Sequence, residues 1–175
     1  MSNEVSLHGE KISVAGKIPA PGSQLPEFKL VNKNLEDMTL GDFNHKRKLI
    51  YIVPSIDTPV CADSSKKFNE MLNQCSHSEI ACLVISADLP FANARFAEKN
   101  EDGLRNICFL SMMRSRQFAK DYGVLIENGP LAGITSRAVV VADEKNQVVH
   151  SELVKDIGSE PDYQKAVEAL TASTQ

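Results

Sequence analysis

Residues 48–61 read Lys48-Leu49-Ile50-Tyr51-Ile52-Val53-Pro54-Ser55-Ile56-Asp57-Thr58-Pro59-Val60-Cys61. The apolar run 49–53, stopped by Pro54, has the pattern of a central strand covered on both faces. Thr58-Pro59 then reads as a helix start, because Thr is a favoured N-cap and Pro is favoured at the first helical position. Cys61 falls at the third helical position, and Phe68, Met71, Leu72 and Cys75 recur at the spacing of one buried helical face. A buried strand that runs straight into a helix is the unit from which α/β sheets are built.

Outward from this unit the same alternation continues. Residues 80–85 form a second apolar run, followed by a helical stretch over 90–98 with Phe91, Ala94 and Phe96 available for packing. A short strand over 107–110 precedes a helix over 114–122 that ends at Gly123. Residues 138–142 and 147–150 flank the turn Asp143-Glu144-Lys145-Asn146 as a hairpin. A helix over 161–170 closes the chain, with Tyr163, Ala166, Val167 and Leu170 on one face. Toward the N-terminus, 5–7 and 11–14 flank His8-Gly9-Glu10 as a small hairpin, Pro19 to Pro26 is an irregular connector, and 28–31 and 38–40 are short strand candidates. The expected architecture is an α/β domain with a mixed central sheet, flanking helices and an added N-terminal β-hairpin, for which a thioredoxin-like fold is the natural candidate. No repeat or linker divides the chain, so 1–175 is expected to be one domain, with 1–18 as the hairpin extension.

The chain has 175 residues, 42% hydrophobic and 24% charged, enough for a core of its own. A net charge of −4 gives no electrostatic reason to expect nucleic acid or an anionic membrane as partner. No stretch approaches the roughly 20 apolar residues of a membrane span. The start Met-Ser-Asn-Glu-Val-Ser-Leu-His-Gly has neither the basic flank nor the apolar centre of a secretory signal, so a cytoplasmic location is expected, with a periplasmic or organellar form left open. The four cysteines, Cys61, Cys75, Cys82 and Cys108, form no Cys-x-x-Cys pair, and the four histidines show no ligand spacing. Neither a metal nor an organic cofactor is expected.

Cys61 is the residue with chemistry to offer. First-turn N–H groups lack intrahelical partners, and with the helix dipole they favour negative charge. A thiolate gains there and a thiol does not, so the Cys61 pKa is expected to fall. The Thr58 hydroxyl can accept from the helix while donating to the sulfur or to a peroxide. A free cysteine is often only a small buried apolar side chain, and a Thr before a helix is often only a cap. The strand-to-helix position sets Cys61 apart from that background.

The segment Pro54-Ser55-Ile56-Asp57-Thr58-Pro59-Val60-Cys61 resembles the peroxidatic-cysteine motif of peroxiredoxins, in the form used by the bacterial thiol peroxidase subfamily. Ser86-Ala87-Asp88-Leu89-Pro90-Phe91-Ala92, Tyr122-Gly123-Val124, Gly129-Pro130-Leu131 and Arg137-Ala138-Val139-Val140-Val141 agree with it in order along nearly the whole chain. The resemblance implies a thioredoxin-like fold and reduction of hydrogen peroxide and organic hydroperoxides, to water or alcohol, through a Cys61 sulfenic acid. It implies an active-site set of Pro54, Thr58, Cys61 and Arg137, no cofactor, thioredoxin or another thiol as reductant, and a homodimer. On its own, Arg137 before an apolar strand would read as a solvated strand-edge arginine; with the resemblance, its guanidinium is expected to favour the thiolate and polarise the peroxide. Pro54 is expected to wall the pocket.

The chain departs from the subfamily where a resolving cysteine usually follows an Arg-Phe pair: Arg95-Phe96 is followed here by Ala97. Cys75, fourteen residues along the same helix, would lie roughly 21 Å from Cys61, whereas a disulfide needs Cα atoms within about 7 Å. By strand rise, Cys82 is roughly 13 to 20 Å from the active end of its strand and Cys108 roughly 10 Å from that of its own. The expectation is a one-cysteine cycle resolved by a thiol of another molecule. A peroxide-responsive redox sensor using the same cysteine is the alternative, and a binding module with an inert Cys61 a more distant one.

Overall fold

The computed structural model describes residues 3–74, 79–100, 104 and 106–172. Strands β1 (Asn3–Leu7) and β2 (Glu10–Ala15) form the expected hairpin. Strands β3 (Lys29–Asn32) and β4 (Asp37–Thr39) follow, each close to its expected place, and Leu40–Phe43 is a short 3-10 helix rather than a continuation of β4. The unit built from residues 48–61 is β5 (Arg47–Ile52) and α1 (Pro59–Asn73). Then come β6 (Ile80–Ser86), α2 (Pro90–Lys99), β7 (Ile107–Ser111), α3 (Gln117–Asp121), β8 (Leu125–Ile126), β9 (Ala138–Ala142), β10 (Val148–Leu153) and α4 (Tyr163–Thr171).

Seven strands make one mixed sheet in the order β10-β9-β5-β6-β7-β3-β4, with β5, β6 and β7 parallel and the other neighbours antiparallel. The mixed thioredoxin-like sheet expected from the sequence is therefore present. The N-terminal hairpin does not stand alone: β2 pairs with β8, a two-residue strand without readable periodicity. Gly123 makes the close approach behind this pairing possible. It has φ +67°, and a Cβ there would collide with the Lys17–Ile18 peptide.

The central strands are contiguous apolar runs because both faces of the sheet are covered. On one face Ile50, Ile52, Leu83, Ile85, Leu110 and Val140 pack beneath Phe118 and Tyr122. On the other, Leu49, Tyr51, Val53, Val84, Val139 and Val141 pack beneath α1 and α4 through Phe68, Leu72, Tyr163 and Leu170. Alternation within β5 turns Tyr51 to the face that α1 covers, and Cys61 of α1 packs into the same layer.

Two expectations change in detail. The helix over 114–122 is only α3, because Arg114–Arg116 is a turn in which the Ser115 hydroxyl accepts from Gln117 N–H at 3.0 Å. In α2 the buried side is not Phe91, which is 67% exposed, but Asn93, while Phe96 packs edge-on against Phe109. The helix start places Pro90 and Asn93 inward, one turn of the helix apart, and Phe91 outward. Cys75, expected on the buried face of α1, lies outside the described residues.

Candidate active site

The site is assembled where β5 gives way to α1. Pro54 is buried at the strand's end, and Cys61 is the third residue of α1, fully buried. The inward face of α1 carries Cys61, Ser64, Ser65, Phe68 and Leu72, a 3–4 spacing that lays the helix on the β5–β9 side of the sheet. The connecting loop is held by Asp88 at the end of β6. Its carboxylate accepts from the Ser55 hydroxyl at 2.8 Å, from Ile56 N–H at 2.8 Å and from the Ser86 hydroxyl at 2.7 Å. A carboxylate with three donors is a firm anchor for a loop.

Arg137 reaches the same sulfur from β9. That strand runs antiparallel to β5, with Tyr51 opposite Val139, so Arg137, two residues before Val139, projects onto the face that α1 covers. Its guanidinium is only 2% exposed. Nε donates to the Ile157 carbonyl at 3.0 Å, and Nη1 donates to both the Tyr51 hydroxyl at 2.7 Å and Cys61 Sγ at 3.1 Å. Burial pulls the Arg137 pKa down, but Tyr51 and Cys61 outweigh it and leave the pKa raised, so the guanidinium stays charged. The neighbouring Thr135 hydroxyl donates to the Val53 carbonyl at 2.6 Å and ties the approach to β9 to the end of β5.

Thr58 occupies the N-cap, half-buried, but its hydroxyl does not accept from the helix. It donates to the Ser55 carbonyl at 3.0 Å. The expected cap bond is absent, and the hydroxyl hydrogen is used within the 55–58 turn rather than offered to the sulfur. The first intrahelical bond runs from Ala62 N–H to the Thr58 carbonyl, and the N–H groups of Val60 and Cys61 have no partner among the described residues. The structure thus brings Pro54, Thr58, Cys61 and Arg137 to one end of the sheet. Beside the buried sulfur it gathers a charged guanidinium and two open backbone donors, an arrangement suited to an oxygen developing charge next to it.

Two residues of the site were not singled out in the sequence. Tyr51 sits inside an apolar run, and its signal is that a tyrosine buried on both sides of a central strand must find a partner for its hydroxyl. Asp88 lies in a quoted segment, Ser86-Ala87-Asp88, at a strand's carboxyl end, where a loop-anchoring acid is at home.

The other thiols stand apart. Cys82 lies at the opposite end of its strand, level with Leu49, and burial pushes its thiol up to about 12. Cys108 packs against the cluster on the far face of the sheet from Cys61, and burial raises its thiol as well. Ala97 packs into the Cys61 layer, so a cysteine at that position would have shared the face. Among the described residues no three His, Cys, Asp or Glu side chains could hold a metal ion together, and no helix is long and apolar enough to cross a membrane.

Residues 20–167 match the Redoxin family. A curated "Thiol peroxidase" of Leptospira interrogans serogroup Icterohaemorrhagiae serovar copenhageni is 40% identical over 170 residues, which cover 97% of this chain and 98% of that one. The crystal structure of a peroxiredoxin-like protein from Aquifex aeolicus aligns with a TM-score of 0.87 at 36% identity, covering 97% of this chain and 96% of that one. A thiol peroxidase from Chromobacterium violaceum aligns with a TM-score of 0.87 at 34% identity, over 95% of this chain and 94% of that one.

Proposed function

The chain belongs to the Redoxin family, among the peroxiredoxins of thiol peroxidase type, and on that premise we propose that it reduces hydroperoxides with Cys61 as the attacking sulfur. The observation that carries this reading is the Arg137 guanidinium donating to Cys61 Sγ at 3.1 Å inside the first turn of α1. The sulfur attacks one peroxide oxygen, an S–O bond forms as the O–O bond breaks, and the leaving oxygen departs as water or alcohol once protonated. Arg137 and the open N–H groups of Val60 and Cys61 stand where charge spreads from sulfur to oxygen, which is where preorganised donors accelerate a reaction most. Thr58 closes the loop through its bond to the Ser55 carbonyl, and Pro54 limits water. Residues 1–175 act as one domain in this reading.

The sulfenic acid is then attacked by a second thiol, giving a disulfide and water, and a further thiol reduces that disulfide. A resolving thiol from another molecule, thioredoxin or a small thiol, fits this chain best. Ala97 replaces the usual partner, Cys108 lies across the sheet, and the raised pKa values of Cys82 and Cys108 leave both mainly as unreactive thiols at neutral pH. Because Cys61 is fully buried, a protein thiol can meet it only after the first turn of α1 opens. The unpaired thiols Cys82 and Cys108 fit a reducing compartment such as the cytoplasm. A homodimer is supported by exposed Leu89 and Phe91, at 54% and 67%, near the active end of the sheet.

Peroxide consumption by the parent and by Cys61→Ser, each with thioredoxin and with a small thiol, tests the reading. Turnover by the parent and none by the variant is expected. Retained turnover in the variant refutes the assignment, and a parent that consumes a single equivalent despite supplied thiol favours a sensor.

A further inference from the structure

Arg137 has two fixed points besides the sulfur, and one of them leads away through the protein. Its Nη1 carries two coplanar hydrogens, so pinning one on the Tyr51 oxygen at 2.7 Å directs the other toward Cys61 Sγ at 3.1 Å. A Tyr51 hydroxyl that accepts from Arg137 keeps its own hydrogen for another acceptor, and its neighbour is the Ser64 hydroxyl. Ser64 lies 2.8 Å from the Tyr163 hydroxyl, which lies 3.0 Å from Glu160 Oε1.

Each hydroxyl along this path has a single hydrogen. A guanidinium can only donate, so the Tyr51 oxygen is the acceptor at the Arg137 end. Arg137 donates to Tyr51, Ser64 adjoins the Tyr51 hydroxyl, and the Tyr163 hydroxyl lies between Ser64 and Glu160. Tyr51 and Ser64 are fully buried and Tyr163 nearly so, while Glu160 reaches the surface. The rings are fixed as well: Phe68 stands edge-on to Tyr51 at 5.2 Å and to Tyr163 at 4.9 Å. The path draws its members from the residue before β9, from β5, from α1, and from the start of α4 with the segment leading into it. Its geometry is thus set by the packing of those elements rather than by side-chain freedom.

We propose that Tyr51, held through Ser64 and Tyr163 by Glu160, is a positioning residue that aims the Arg137 guanidinium at Cys61. This inference rests on the reading of Cys61 and Arg137 as the reacting pair. Hydrogen bonds in such a chain polarise one another, so cutting it near Arg137 has a larger effect than cutting it farther out. Tyr51 makes no contact with the peroxide and acts only through the arginine.

The test separates the two halves of the cycle in Tyr51→Phe, Ser64→Ala, Arg137→Met and the parent, with Cys61→Ser as spectral reference. Oxidation of Cys61 by hydrogen peroxide is followed by quenched flow and mass spectrometry, reduction of the preformed sulfenic acid is followed with a small thiol, and the Cys61 thiolate is read by ultraviolet absorbance. Tyr51→Phe keeps the ring and loses the hydroxyl. It is expected to slow oxidation about tenfold and to weaken the thiolate absorbance at neutral pH, with the reductive half unchanged. Ser64→Ala is expected to slow oxidation about threefold, and it decides alone if Tyr51→Phe does not fold. Parental oxidation rates and absorbance in Tyr51→Phe and Ser64→Ala, with Arg137→Met impaired, overturn the positioning role and leave the reacting pair standing. Equal slowing of both halves with unchanged absorbance overturns it too, because a loosened fold would do that. Parental behaviour of Arg137→Met itself removes the reading on which the inference rests.

Discussion

Replacing Arg137 by Met removes the guanidinium and keeps an unbranched apolar side chain in its channel. The structure allows the effect on rate to be sized. One charge-assisted hydrogen bond to the sulfur is lost, from Nη1 at 3.1 Å, in a site that is 0% exposed at the cysteine. Hydrogen bonds to charged groups contribute about 1.5–3 kcal/mol. At 1.36 kcal/mol per decade this is a loss of roughly 10- to 150-fold in the rate of Cys61 oxidation. Stability responds differently. The Ile157 carbonyl and the Tyr51 hydroxyl lose a donor, and a buried acceptor left unpaired costs about 1–3 kcal/mol. The unfolding free energy is expected to fall by about 3 kcal/mol. Quenched-flow oxidation under excess peroxide, alongside urea denaturation, separates the two. A folded Arg137→Met protein oxidised within twofold of the parental rate would refute the argument that this guanidinium drives the peroxide step.

Further expectations concern the remaining thiols and the core. One equivalent of peroxide given to the monomeric fraction should leave Cys61 as a sulfenic acid without an internal disulfide; a Cys61-containing disulfide within one chain, read by mass spectrometry, would contradict the one-cysteine cycle. Phe68→Ala removes a fully buried ring that contacts both Tyr51 and Tyr163, and should cost about 3–5 kcal/mol by denaturant unfolding. Lys48 is fully buried in β5, its ammonium donating to the Lys46 carbonyl at 2.8 Å, and burial lowers its pKa from 10.5. The unfolded chain therefore binds the extra proton as pH rises toward 10.5, so the parent gains stability over that range. Lys48→Met should be more stable than the parent at pH 7, and the difference should shrink toward pH 10.5; a constant difference across that range would exclude the burial penalty as its cause.

The strands that make the sheet were legible because they are covered on both faces, which turns them into plain apolar runs such as Leu49–Val53. Cys61 was legible because Pro54, Thr58 and Pro59 mark where strand stops and helix starts. Arg137 was not legible on physical grounds: nothing local distinguishes a buried guanidinium from a solvated one, and only the resemblance pointed to it. Its burial depends on β9 lying antiparallel to β5, a long-range pairing that no local pattern encodes. Tyr51 was hidden by its surroundings, since an aromatic ring in an apolar run reads as core while its hydroxyl passes unnoticed. Phe91 misled, because the helix start, not residue polarity, decides which side of α2 faces inward, and it is Asn93 that is buried there. The two-residue strand β8 is too short to show a period, and it exists only because β2 lies beside it.

The most direct test of the central claim is to trap the product of peroxide attack. The parent protein, given substoichiometric hydrogen peroxide in the presence of a sulfenic-acid-specific nucleophile and digested for mass spectrometry, should carry the adduct on the peptide containing Cys61 and on no other. An adduct confined to Cys82 or Cys108, or none on Cys61 while peroxide is consumed, would contradict the account.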